Sequence, residues 1–155
     1  MRSSDDLKLI SEVVPDWIAH PDHFCREALG FDPDDWQKSV LQDLCDPKIH
    51  RISIKSGQGV GKTGTVACAL LWFLFSYEDA RVVATAPTMR QLNDVLWPET
   101  SKWLTKNPLL GHMMRWTKTY VYMRGHESRW FAVARTATKP ENMQGFHETN
   151  MLFIA

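Results

Sequence analysis

Residues 56–63 read Ser-Gly-Gln-Gly-Val-Gly-Lys-Thr, SGQGVGKT, between an alternating stretch, IHRISIK at 49–55, and a long apolar one, TVACALLWFLF at 65–75. This is the pattern of a phosphate-binding loop. Glycines let the backbone curl so that several amide N–H groups point at one anion, a lysine supplies a point charge for the β and γ phosphates, and a Ser/Thr hydroxyl ligates Mg²⁺. On that reading Ser56, Gly57, Gln58, Gly59, Val60, Gly61, Lys62 and Thr63 line the phosphates of ATP, with Thr63 holding the metal through its hydroxyl. The usual GxxxxGK[ST] pattern starts on a glycine and here starts on Ser56; Gly57, Gly59 and Gly61 keep the loop flexible. The flanks predict the strand and the helix N-terminus that such a loop needs.

Working downstream, 62–76 is apolar nearly all round, which predicts a central buried helix with Cys68 as a small core residue. Residues 81–86, RVVATA, predict a short strand, and Pro87-Thr88 opens a helix reaching about Lys106 that Pro98 should kink or split. KTYVYMR (118–124) and SRWFAVAR (128–135) predict an antiparallel pair around Gly125-His126-Glu127, whose mixed-charge tip reads as a solvated turn. The last apolar run, Met151 to Ala155, reads as a buried strand. Strand, loop, helix, strand, helix is the α/β pattern.

Upstream, two short amphipathic segments in 5–30 are punctuated by Pro15 and Pro21, and a helix is expected from about Asp34 to Cys45. Its apolar face carries Trp36, Val40, Leu41 and Leu44, with Gln37 beside them. A glutamine amide pairs with adenine N6 and N7, so Trp36 and Gln37, about twenty residues before the loop, are the adenine-side candidates. A solvated glutamine on a surface helix is the alternative.

The 155 residues are 44% hydrophobic and 23% charged, an ordinary globular composition. Eighteen basic and eighteen acidic residues cancel, so any nucleic-acid contact must come from a local patch. Cys25, Cys45 and Cys68 are odd in number and widely spaced, against a disulfide framework or a zinc site. Of six histidines only His20 and His23 are close, with Pro21 between them, which speaks against metal. The start lacks a secretory pattern, and the apolar run 66–75 is about half of the roughly 20 residues that span a membrane. Trp97, Trp103, Lys102 and Lys106 read as core tryptophans with neighbouring lysines rather than a DNA surface. Asp94, Glu99, Glu141 and Glu148 do not follow an apolar strand, where a water-activating carboxylate belongs.

Taken in order, the Trp-Gln helix, SGQGVGKT, VVATAPTMRQL and NMQGFHETNMLFIA resemble the N-terminal part of the ATPase domain of tailed-phage terminase large subunits. The resemblance implies a P-loop NTPase of RecA/ASCE type, a parallel-sheet core with an antiparallel hairpin. It divides the chain into N-terminal helices, 1–48, and an incomplete ATPase core, 49–155, truncated at the Walker B strand, with the acidic pair expected after Ala155.

It further implies a DNA-packaging motor in the host cell cytoplasm that uses ATP and Mg²⁺ to drive double-stranded DNA into a procapsid. A downstream endonuclease would cut the concatemer, and the partners would be the portal protein and the small terminase subunit, with no membrane involved. Thr88 and Arg90, at the TAPT segment, match the place where related translocases touch the DNA backbone. Some terminases carry an arginine in the loop, where this chain has Gln58, and another before the glycine preceding Walker B, where it has Gln144. Arg129 and Arg135 are the alternatives for the missing charge. Two other readings stand beside this one: a non-catalytic lobe recognised by a partner protein, and a superfamily 2 helicase-like ATPase.

Overall fold

The helix that the apolar run predicts, α4, spans Lys62–Ser76 and is buried from Gly64 almost to its end. Alanine and leucine supply its helical preference, and Leu70, Leu71, Trp72 and Leu74 are fully enclosed. Truncating any one of these leucines to alanine costs about 2–5 kcal/mol in a packed core. The structure, a computed structural model, describes residues 4–54, 61–117, 120–136 and 150–155.

Three helices precede α4: α1 (Ser4–Ala19), α2 (Pro21–Glu27) and α3 (Asp35–Cys45). Trp17, Phe24, Leu29 and Leu41 from this N-terminal part join α4 and the sheet in one core, and the Trp72 Nε1–H donates to the Trp17 carbonyl at 2.9 Å. Pro15 does not end its helix. It sits inside α1 on an exposed face, where the carbonyl its missing N–H leaves unpaired can be hydrated. Pro21 does mark a boundary, at the first turn of α2.

After α4 come β1 (Arg81–Ala86), α5 (Met89–Gln91), a π turn at Leu92–Leu96, and α6 (Trp97–Leu104). Pro98 does not split this run but stands directly after a distortion in it. The helix widens just before it, so that the Trp97 N–H reaches back five residues to the Leu92 carbonyl. Then follow α7 (Pro108–Met113), β2 (Met114–Trp116), β3 (Tyr120–Met123), β4 (Phe131–Thr136) and β5 (Met151–Ile154). Neither α7 nor β2 was legible in the sequence.

The sheet has the order β2-β3-β4-β1-β5. β1 is parallel to both neighbours, with Val83 opposite Val133 and Phe153, while β2-β3-β4 is antiparallel, with Tyr122 opposite Phe131. The fold is therefore α/β on a mixed, partly parallel sheet. The expected hairpin is present as β3 and β4.

Two further expectations are corrected. Residues 49–54 do not form a strand, and Lys55 lies outside the described residues. Alternation alone makes no strand without a ladder partner, and none of the described strands pairs with this stretch. The strand at Met151–Ile154 exists but is half-buried rather than buried: it is the last strand of the described sheet, and Phe153 is 46% exposed. Its Leu152 and Ile154 face the core, and the Thr85 hydroxyl ties it to β1 by donating to the Ile154 carbonyl at 3.2 Å.

Candidate functional site

The start of α4 is where the sequence-predicted groups meet. Gly61 occupies the N-cap position at φ +83°, a left-handed conformation, and a Cβ there would lie 2.9 Å from Gln37 Nε2. Glycine is therefore required twice, by the backbone and by the neighbour. The Gly61 carbonyl is the hub: it accepts from the Thr65 N–H at 3.0 Å, the Thr65 hydroxyl at 2.8 Å and Gln37 Nε2 at 3.2 Å. Gln37 Nε2 also donates to Thr65 Oγ1 at 2.7 Å, while its Oε1 accepts the Asp34 N–H at 2.7 Å.

One carboxamide thus caps α3 and fastens α3 to the first turn of α4. It is 3% exposed, so it is a buried polar group with both ends satisfied rather than a solvated surface glutamine. The i, i+4 pair Gln37 and Leu41 is what α3 buries; Trp36, Val40 and Leu44 are only half-buried. The periodic pattern pointed at the apolar neighbours and missed how deep the glutamine sits.

Lys62 is exposed at the first position of α4 and Thr63 is half-buried beside it. Among the described residues no side chain caps this helix, and Lys62 stands exposed at its first position. Ser56, Gly57, Gln58, Gly59 and Val60 lie outside the described residues. Behind the turn, Gly64 abuts Phe31: a Cβ there would come within 2.9 Å of the ring and 3.4 Å of a Glu99 oxygen. Phe31 is held edge-on by Trp103, whose Nε1–H donates to Glu99 Oε1 at 2.9 Å. Trp97 and Trp103 are buried, as expected of core residues, and the Lys102 and Lys106 ammonium groups lie over the Trp103 ring at 4.7 and 4.1 Å.

Thr88 and Arg90 stand at the start of α5, both exposed. The Thr88 hydroxyl accepts from the Gln91 N–H at 3.4 Å, and Arg90 pairs with Asp94 one turn on, Nε to Oδ2 3.2 Å. The tip Arg124–Glu127 is an ordinary exposed turn with Gly125 at φ +86°. Arg129 faces Asp79 at 3.9 Å, and Arg135 Nη1 donates to the Ala134 carbonyl at 2.9 Å. Glu141, Gln144, Gly145, His147 and Glu148 lie outside the described residues.

The three thiols are free. The Cys25 contact and burial push the Cys68 thiol up, while burial and the Asp22 carboxylate push the Cys45 thiol up to about 11. Neither is poised as a nucleophile at neutral pH. A grouping that sequence spacing discounted is assembled instead at the junction of α1 and α2, where Asp16, His20 and His23 each place a donor atom within 4.8 Å of the others. A proline between two histidines looked disruptive, yet it is what turns them together.

Among the described residues no helix is long and apolar enough to cross a membrane. Compared with models of protein families, with curated proteins and with solved structures, the chain matches none.

Proposed function

We propose that the chain is the nucleotide-binding part of a P-loop ATPase, and specifically of a terminase-like motor that packages double-stranded DNA. The observation that carries the ATP reading is the bonding of Gln37 to Gly61 and Thr65, which joins the Trp-Gln helix to the first turn of the Lys62–Thr63 helix. Two segments read from the sequence as opposite ends of one ligand site are adjacent, and the exposed lysine at the start of α4, a helix that no described side chain caps, suits an anion.

On this reading Lys62 and the leading amides of α4 hold the phosphates, with Ser56–Val60 completing the cradle and Thr63 taking Mg²⁺ through its hydroxyl. Trp36 and Gln37 lie on the adenine side. Because both Nε2 bonds of Gln37 are made within the protein, its remaining capacity toward a base is at Oε1, and its main contribution is to fix the turn. The bound nucleotide would supply the phosphoanhydride and the metal the charge neutralisation; what these residues do is bind and orient.

The parallel neighbours β1 and β5 beside α4 suit a RecA-like core. The terminase assignment itself rests on the order of the sequence segments, and with it come double-stranded DNA as cargo, Thr88 and Arg90 as backbone contacts, the portal and small-subunit partners, and the host cytoplasm. The residues named here are assigned to binding, and no water-activating carboxylate is proposed among them.

Calorimetric titration of the chain with Mg²⁺–ATP tests this. Saturable 1:1 binding lost in Lys62→Ala is expected; equal binding by the wild type and Lys62→Ala would remove the proposal's basis.

A further inference from the structure

We propose that Asp16, His20 and His23 form a binding site for a divalent transition-metal ion of the zinc class, clasping the end of α1 to the start of α2. The chain makes this cluster by turning on a single residue. His20 N–H closes α1 on the Asp16 carbonyl at 2.8 Å, while the His20 carbonyl opens α2 by accepting from the His23 and Phe24 N–H groups at 3.0 and 3.1 Å. Pro21 follows at the first position of α2, where its fixed φ favours helix entry and holds His20 out of helical geometry, at φ −132° and ψ 88°. Residues 16, 20 and 23 are thereby stacked on one corner.

The donor geometry is what distinguishes a ligand set from an ion pair. His23 Nδ1 lies 2.9 Å from Asp16 Oδ2, and the two imidazole rings face each other with centroids 4.6 Å apart at 32°. His20 Nε2 stands 3.9 Å from Asp16 Oδ1, too far for a hydrogen bond. Two donors of a tetrahedral zinc are about 3.4 Å apart; with one donor atom from each of the three residues already within 4.8 Å of the others, side-chain rotations bring them to that spacing. Two imidazoles and one carboxylate are a donor set suited to zinc and its neighbours.

A further group supports the arrangement. The buried Asp22 carboxylate lies 3.8 Å from His23 Nε2, on the ring edge opposite Asp16. With Nδ1 turned to a metal, Nε2 would carry the proton, and a small rotation would close the 3.8 Å to Asp22 into the hydrogen bond that holds a metal-ligating histidine in one tautomer. Asp16, His20 and His23 are all partly open to solvent, so an ion has a route in and water can complete its coordination.

The test uses the full chain, freed of any affinity tag and of metal, titrated with zinc chloride by calorimetry, with melting followed in parallel. One zinc per chain is expected, raising the melting midpoint through preferential binding to the folded state. His20→Ala and His23→Ala should each weaken binding by at least about tenfold, and Asp22→Asn by on the order of tenfold. His20 is 53% exposed and its replacement leaves the core untouched, so the metal-free melt of His20→Ala should match the wild type. Cobalt in place of zinc should give a spectrum without thiolate charge transfer. Absence of zinc binding, undiminished binding in the His20→Ala/His23→Ala double variant, or a thiolate band placing the ion on a cysteine would each overturn the proposal.

Discussion

Two helix starts that the sequence offers as ligand contacts are finished differently in this molecule. At α4, Gly61-Lys62-Thr63 begins a 15-residue buried helix that no described side chain caps, and a buried glutamine from another helix holds the preceding carbonyl from behind. At α5, Pro87-Thr88 begins a three-residue helix whose Thr88 caps the Gln91 N–H and whose Arg90 is paired with Asp94. Among the described residues the first start is held from behind and carries no side-chain cap, while the second is capped by its own threonine. An N-terminus whose donors are unspent can take an anion, whereas one whose donors are capped offers only its exposed side chains. On the proposed function, the comparison favours α4 as the anion-binding end and leaves α5 only its exposed side chains to offer a nucleic-acid backbone.

Substitutions can break that contrast. The largest effect is expected from Lys62→Ala, which removes the exposed positive charge at the first position of α4: ATP affinity should fall by about 100-fold, near 3 kcal/mol, with the melting midpoint unchanged. Gln37→Leu keeps the volume but strands the Asp34 N–H and removes two bonds to the α4 turn, so chemical denaturation should show a loss of about 2 kcal/mol. A stability equal to the wild type there would mean that the glutamine is not what fastens α3 to α4.

How much of this was legible in the sequence follows from the same residues. The bounds of α4 and β1 were readable because an unbroken apolar run and a β-branched run each leave little choice of structure. Gln37 was found by type and spacing, but its depth was not, because burial of a polar group depends on partners 24 and 28 residues away. The expectation of a strand at 49–55 failed because a strand is a property of a pair, and alternation says nothing about the neighbour. His20 and His23 were discounted because a proline was read as a break, when at the first position of a helix it is a hinge that brings side chains together.

Smaller effects sharpen the picture. Gly64→Ala gains about 1 kcal/mol in helix preference but drives a methyl group to 2.9 Å from the pinned Phe31 ring, an overpacking that costs about 1–3 kcal/mol; the net loss of about 1 kcal/mol is measurable by thermal melting. Thr88→Ala should cost about 0.5–1 kcal/mol as a lost cap and leave ATP binding intact. Arg90→Ala, at an exposed i, i+4 pair, should change stability by less than about 0.5 kcal/mol. If α5 touches a DNA backbone, Arg90→Ala should lower the salt dependence of duplex binding by about one phosphate contact, with no effect on nucleotide affinity.

The most direct test of the difference between the two starts is a backbone-amide NMR titration of the full chain with Mg²⁺–ATP. The Gly61, Lys62, Thr63 and Gly64 amides should shift together with saturation, while that of Gln91, already engaged by Thr88, stays in place. Shifts centred on residues 88–91 with the start of α4 unmoved would contradict the account.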